Sequence, residues 1–445
     1  MKDVSDKKIT VLGAARSGLA AARLLKEKGA TVFVSDLAAR EAKEEAARFL
    51  EQHHIPHEFG GHSERVFDCD FAVLSPGIPV RSEVVQSLLK KNVPVWSEIE
   101  AAFWFCRSPL IAVTGSNGKT TTTTLIGEML RKKYSGAILA GNIGQPLSDY
   151  VADSRPDQWG VVEVSSFQLE TIETFHPRQA VVLNFAPNHL DRYDSYRDYI
   201  EAKWRVTMNL TADDMLIYNA GDQPLSDKAQ QLKAHKMGFT IEPDSDQAAF
   251  FRDGKIYLHG SELIDTKEMI LRGPHNYQNA MAAALAAHNA GIDVEDIRAV
   301  LRTFAGIEHR LEFVAEVNGV RFVNDSKATT VESLAVALQS FDQPIVLIAG
   351  GKDKGSDFTR LNDLIKQKVK QLVLIGQAAD KMAAAWQDLR PVYKAPDFRQ
   401  AVQSAFQFAQ PGEVVLLSPA CASFDMFRDF EDRGRQFKQL VMELA

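Results

Sequence analysis

Short runs of aliphatic and β-branched residues alternate with helix-length segments along the whole chain. Ile9-Thr10-Val11-Leu12 leads through a glycine turn into a helix passing Leu24-Leu25, and further strands are expected at 31–34 and 71–74. Leu110-Ile111-Ala112-Val113 opens a second group, continued at 160–164 and 180–183. A third group runs through 320–323, 345–348, 372–375 and 414–417. Unbroken apolar runs of this length, spaced by helices, signal layers with mainly parallel strands covered on both faces. The expected fold is α/β in three domains: an N-terminal Rossmann-like domain over 1–100, a central phosphate-loop domain over 101–307, and a C-terminal Rossmann-like domain over 308–445.

Length agrees with that count, since 445 residues correspond to about three domains. A net charge of −7, from 51 Lys+Arg and 58 Asp+Glu, gives no basis for holding a nucleic-acid backbone. No stretch approaches the roughly 18 apolar residues of a membrane helix, and the start has no signal-peptide core. Cys69, Cys106 and Cys421 are too few and too scattered for a disulfide framework. A cytoplasmic protein is expected. Lys366, Lys368 and Lys370 are expected to form a solvated edge.

Thr114-Gly115-Ser116-Asn117-Gly118-Lys119-Thr120-Thr121 follows a strand and opens a helix. Glycines let backbone N–H groups approach phosphate oxygens, and the helix start adds free donors and a positive dipole end. Lys119 adds a mobile cation, and the Thr120 hydroxyl can reach Mg²⁺. The strict phosphate-loop pattern would place its first glycine at Val113, and Thr120 to Thr124 are poor helix formers. Strand, loop, Gly-Lys-Thr and helix nevertheless occur in the order that nucleoside triphosphate binding requires.

Gly13-Ala14-Ala15-Arg16-Ser17-Gly18 forms a second strand–helix turn, with Asp36 closing the next strand. Ala15 stands where the dinucleotide fingerprint has a glycine. This turn fits either a bare helix entry or a nucleotide-diphosphate site with Asp36 near the base or sugar. Glu163 and His189 each follow a middle strand, on the phosphate-loop side of the sheet. They are candidate Mg²⁺ ligands. Lys203, in Tyr199-Ile200-Glu201-Ala202-Lys203-Trp204, reads from its surroundings alone as a surface or salt-bridge residue.

The phosphate loop, Glu163, Asn188-His189-Leu190-Asp191 and the Tyr199 to Lys203 segment together resemble the Mur ligase family of ATP-dependent amide-forming enzymes. So do His275-Asn276-Tyr277-Gln278-Asn279, Glu308-His309-Arg310 and Asn324-Asp325-Ser326-Lys327-Ala328-Thr329. Within the family, Ser165 to Glu170, Gly350 to Gly355 and Ser418 to Asp425 resemble the branch that adds D-glutamate to UDP-N-acetylmuramoyl-L-alanine. The Asp-Asn-Pro-Arg tetrapeptide of the branch that adds meso-diaminopimelate is absent.

The resemblance implies roles. Arg16, Ser17, Asp36, Gly77 and Asn142 would bind the UDP-sugar substrate. Leu37-Ala38 replaces a Thr-Arg of some relatives, which leaves the uracil contacts open. ATP would be held by Gly115, Ser116, Asn117, Gly118, Lys119, Thr120, Thr121, Asn276, Arg310 and Asp325. Thr120 and Glu163 would ligate one Mg²⁺, with His189 on a second and Lys203 beside them as a CO₂-derived carbamate. Lys119, His189 and Lys203 would be catalytic. Lys327, Thr329, Lys352, Ser423 and Phe430 would grip D-glutamate. A monomer with small-molecule partners and no membrane is implied.

The implied chemistry answers a physical problem. A carboxylate does not react with an amine at neutral pH, because it is anionic and its oxygen leaves poorly. Phosphorylation by ATP gives an acyl phosphate, which the amine attacks. The first step brings two anions together, at a cost of about 4 kcal/mol at 4 Å for an effective dielectric near 20. Lys119, Arg310 and Mg²⁺ would neutralise that repulsion. A folate polyglutamate synthetase, a nicotinamide-dependent oxidoreductase and a nucleotide-binding regulator without chemistry are the competing readings. The first lacks a nucleotide-diphosphate domain like the one expected over 1–100. The second leaves Gly118-Lys119-Thr120 unexplained. Against the third stand Lys119, Glu163, His189 and Lys203 together.

Overall fold

The computed structural model describes residues 2–142, 145–186, 192–243, 246–353 and 355–444, apart from the side chain of Glu332. His189 and its neighbours 187–191 lie outside the described residues. The chain forms two compact units, Met1–Phe304 and Ala305–Ala445, and contains three sheets.

The first sheet comprises β1 (Lys8–Leu12), β2 (Thr31–Asp36), β3 (His57–Phe59), β4 (Phe71–Leu74) and β5 (Val95–Ser97), all parallel in the order β3-β2-β1-β4-β5. The helix Glu98–Phe103 follows. It carries two buried carboxylates. Glu98 accepts from Ser148 N and Oγ, and Glu100 accepts from the backbone N–H groups of Glu173, Thr174 and Phe175. Both tie this helix to loops of the next sheet, because a buried carboxylate must find donors or lose its charge.

The second sheet contains β6 (Leu110–Thr114), β7 (Ile138–Gly141), β8 (Gly160–Glu163), β9 (Gln179–Val182), β10 (Met215–Asn219), β11 (His235–Thr240), β12 (Ala249–Arg252), β13 (Lys255–Leu258) and β14 (Ser261–Asp265). Its order is β14-β13-β12-β11-β10-β9-β6-β8-β7. Alternation along β6 shows why such a strand reads as continuously apolar. Leu110 and Ala112 enter one core, while Ile111 and Val113 enter the core on the opposite face.

The third sheet holds β15 (Glu312–Val317), β16 (Val320–Asn324), β17 (Ile345–Gly350), β18 (Val369–Ile375), β19 (Val392–Lys394) and β20 (Val414–Leu417), in the order β15-β16-β20-β17-β18-β19. Val414 and Leu416 face one core and Val415 and Leu417 the other.

Two sequence readings change. The parallel sheets carry antiparallel extensions, β12-β13-β14 and β15-β16, which the apolar-run reading passed over. Three of their turns are Asp253-Gly254, His259-Gly260 and Asn318-Gly319, with positive φ at both residues. That is the primed turn whose twist matches a hairpin. The lysine group also differs from the solvated edge expected of it. Lys366 is exposed, but Lys368 Nζ donates to Phe341 O at 2.8 Å and Lys370 pairs with Glu413 at 2.9 Å. Among the described residues, no helix is long and apolar enough to cross a membrane.

Candidate active site

In the second sheet β6 lies between β8 and β9, so the ends of three adjacent parallel strands converge. Ligands of open α/β sheets bind at such strand ends. The loop after β6 enters the helix Lys119–Arg131. Gly118, at φ 82°, needs a left-handed backbone, and a Cβ there would meet Asn279 Oδ1 at 2.2 Å. The loop is braced from its neighbours. Asn184, just past β9, accepts from Asn117 N at 2.9 Å and donates to Asn117 O at 3.1 Å. Ser116 Oγ donates to Ala186 O at 2.9 Å and lies 3.0 Å from Tyr199 Oη. Asn184 and Tyr199 were not among the expected site residues. The signal available was a polar side chain directly after a buried strand.

The threonine run is helical despite its low propensity, since Thr120, Thr122 and Thr123 are buried and Thr124 Oγ1 donates back to Thr120 O at 2.8 Å. Thr120 and Thr121 open this helix, beside Gly115 and Ser116 of the loop. Lys119 Nζ curls over its own loop, donating to Gly115 O at 2.9 Å and Ser116 O at 3.0 Å. An ammonium held by such loop carbonyls can exchange them for phosphate oxygens.

Glu163 ends β8 and is 1% exposed. Its Oε1 accepts from Asn142 Nδ2 at 2.8 Å, while Oε2 is buried without a hydrogen-bond partner among the described residues. A buried carboxylate oxygen left open fits a hard divalent cation, completed by phosphate oxygens and water rather than by a protein cage. Among the described residues no three His, Cys, Asp or Glu side chains cluster.

Lys203 corrects the surface reading. It sits in the last turn of the helix Tyr196–Trp204, is 2% exposed, and has its Nζ 4.6 Å from the Tyr199 ring centroid. Burial holds its pKa well below the usual lysine range and Lys119 pushes the same way, with Glu163 opposing. A neutral amine is the form that adds CO₂.

Around the first glycine turn, Arg16 and Ser17 open the helix Arg16–Glu27. Asp36 is largely occupied by the turn itself. It accepts from Ala14 N at 2.7 Å and Ala38 N at 2.8 Å and pairs with Lys43 at 3.3 Å. Gly77 is exposed in the loop after β4. Asn276, in the helix Pro274–Asn289, donates to Arg272 O at 2.8 Å.

The second unit brings its expected residues onto neighbouring strand ends. Asp325 follows β16, and its carboxylate accepts from Leu311 N at 3.2 Å and Ser418 Oγ at 2.7 Å. Burial pushes its pKa up to about 7, against those bonds and the nearby Arg310. Arg310 itself is exposed. Lys327 Nζ lies 6.0 Å from the Phe430 ring, and Thr329 N donates to Lys327 O at 2.9 Å. Lys352 pairs through its backbone with Ala422, beside the buried Ser423.

Three family descriptions match in order: MurD N-terminal domain over residues 8–84, Mur ligase middle domain over 113–287, and Mur ligase, glutamate ligase domain over 309–421. The chain belongs to the Mur ligase family. Along its whole length it is similar to proteins named UDP-N-acetylmuramoylalanine--D-glutamate ligase. It is 44% identical over 457 residues to that of Salinibacter ruber, covering 99% of each chain. To that of Pelotomaculum thermopropionicum it is 42% identical over 454 residues, covering 100% of this chain and 99% of the relative. Solved structures share the fold. UDP-N-acetylmuramate-alanine ligase from Thermotoga maritima matches at TM-score 0.59 and 18% identity, over 99% of this chain and 100% of that one. The MurF ligase of Thermotoga maritima in complex with ADP matches at TM-score 0.57 and 16% identity, over 100% of both.

Proposed function

We propose that the protein is an ATP-dependent ligase that joins D-glutamate to UDP-N-acetylmuramoyl-L-alanine, releasing ADP and phosphate, in peptidoglycan precursor synthesis. The observation that carries this reading is the gathering of the phosphate loop, the open Glu163 carboxylate and the buried Lys203 in a chain similar end to end to ligases of that name.

The roles divide along the chain. Residues 1–100 bind the UDP-sugar through Arg16, Ser17, Asp36 and Gly77, with Asn142 reaching it from the next domain. Residues 101–307 bind the triphosphate. Residues 308–445 bind the amino acid through Lys327, Thr329, Lys352, Ser423 and Phe430, and contribute Arg310 and Asp325 to ATP. Lys119 leaves its loop carbonyls for the terminal phosphates, whose charge it offsets as the alanyl carboxylate attacks. Thr120, Glu163, His189 and the Lys203 carbamate would hold two Mg²⁺. When bound, the metals supply charge neutralisation and alignment of the transferred phosphoryl group. A neutral buried Lys203 favours carbamate formation, which turns a cationic side chain into an anionic ligand. The protein acts as a cytoplasmic monomer.

The test is phosphate release with ATP, Mg²⁺ and UDP-N-acetylmuramoyl-L-alanine, comparing D-glutamate, L-glutamate and lysine as acceptors. Release that requires the sugar nucleotide and favours D-glutamate is expected. Equal release with all three acceptors removes the specificity, and oxidation of NAD(P)H in place of phosphate release removes the reading altogether.

A further inference from the structure

The helix Phe430–Met442 buries an arginine in its first turn. Arg433 is 1% exposed and ranks among the largest fully buried side chains of the molecule. Its guanidinium makes four hydrogen bonds to neutral acceptors. Nε donates to Ser326 Oγ at 2.9 Å, Nη2 donates to Ser326 O at 2.8 Å, and Nη1 and Nη2 both reach Cys421 O at 3.2 Å. Ser326 Oγ in turn donates to Phe430 O at 2.8 Å. One side chain therefore ties the segment after β16, the segment after β20 and the start of its own helix.

A fourth segment is fitted to it. Gly351 has φ 131°, and a Cβ there would meet Ala422 O at 2.3 Å and Arg433 Nη1 at 3.3 Å. The bare glycine lets the next residue, Lys352, bridge to Ala422, next to the Cys421 carbonyl that the guanidinium holds. The four segments tied or touched by Arg433 carry Lys327 and Thr329, Ser423, Phe430 and Lys352. Those are the five residues proposed to grip D-glutamate.

We infer that Arg433 is a positioning residue for the amino-acid acceptor, setting the spacing of the loops that hold its two carboxylates. The inference rests on the D-glutamate reading. The physical argument has two parts. A planar fork with five donors can bridge a hydroxyl and two carbonyls on different segments, a geometry that a lysine ammonium on a flexible stem does not reproduce. Carbonyl acceptors also solvate the charge without cancelling it. Burial lowers the Arg433 pKa to about 10, which leaves it cationic at neutral pH. Its charge, partly offset by the nearby Asp425 carboxylate, has the sign that favours a dicarboxylate. Its partners Ser326 and Cys421 lie one and two residues from Lys327 and Ser423, so affinity for the acceptor is the quantity it controls.

The experiment is steady-state kinetics on the full chain, titrating D-glutamate at saturating ATP and sugar nucleotide, then ATP at saturating D-glutamate. In Arg433→Lys, with folding checked by circular dichroism, KM for D-glutamate rises about tenfold or more, while KM for ATP stays within about twofold. Equal rises in both constants, or an unchanged KM for D-glutamate, overturn the inference. If Arg433→Lys does not fold, Ser326→Ala decides. Removing the hydroxyl between Arg433 and Phe430 raises KM for D-glutamate alone by about threefold, and no rise overturns the inference. A wild-type protein that does not use D-glutamate sinks the functional reading as well, whereas one that does, paired with a silent Arg433→Lys, sinks only this role.

Discussion

Among the described residues, the two units each bury one lysine or arginine side chain almost completely, and they treat it in opposite ways. Lys203 in the first unit faces an aromatic ring, with Lys119 and Glu163 acting on it in opposite directions, and burial drives it toward the neutral amine. Arg433 in the second unit is wrapped by Ser326 and Cys421 and keeps its charge. Burying an ion costs several kcal/mol unless its donors are satisfied, so an unsatisfied group neutralises itself and becomes reactive. A satisfied group becomes scaffold. On the proposed reading, the difference matches chemistry at the strand ends of the second sheet and selection of the acceptor at those of the third.

The sharpest way to break that division is Lys119→Ala. Phosphate release is expected to fall about a thousandfold or more, because charge neutralisation is most of phosphoryl-transfer catalysis. The melting temperature should change little, since the Nζ bonds to Gly115 O and Ser116 O stay within its own loop. Near-normal turnover would remove Lys119 from the reaction. Lys203→Met comes next, with activity falling about a hundredfold and the melting temperature rising, because an apolar side chain replaces an amine that is costly to bury. In wild type, CO₂-free buffer should lower the rate and bicarbonate restore it. A rate indifferent to bicarbonate contradicts the carbamate.

Smaller effects test the buried acids of each unit. Burial pushes Glu98 in the first unit up to about 7, as it does Asp325 in the second. Folded pKa values above the unfolded ones mean that the folded state binds more protons. Their contribution is therefore fully present below about pH 4, where the unfolded groups are also protonated, and is lost as pH rises through about 7. For Glu98 the loss is on the order of 3 kcal/mol at most. Melting temperature should fall from pH 6 to pH 8, and less steeply in Glu98→Gln; identical slopes refute the assignment. Smallest is the Lys370–Glu413 pair. Lys370→Met should cost about 1 kcal/mol or less by denaturant unfolding, and Lys366→Gln nothing measurable.

The parallel strands were legible because burial on both faces leaves an unbroken apolar run, as in Leu110 to Val113. The hairpins at 249–265 were not, although Asp253-Gly254 carried the turn signal, because their strands are short and half exposed. The phosphate loop was legible because its chemistry is local. Lys203 was misread from its surroundings because burial of a helix residue depends on which face the tertiary fold covers. Its helix, with Arg197, Asp198 and Glu201, announces no apolar stripe. Arg433 was passed over for the same reason, in a segment reading Glu431-Asp432-Arg433-Gly434-Arg435 that looks solvated throughout.

The most direct test of the account follows an oxygen atom. If the phosphate loop activates the alanyl carboxylate as an acyl phosphate, one carboxylate oxygen must leave with the phosphate when the amine attacks. With UDP-N-acetylmuramoyl-L-alanine labelled with heavy oxygen in that carboxylate, mass spectrometry of the released phosphate should find one labelled oxygen per turnover. Phosphate carrying no label, with the amide still formed, would contradict the account.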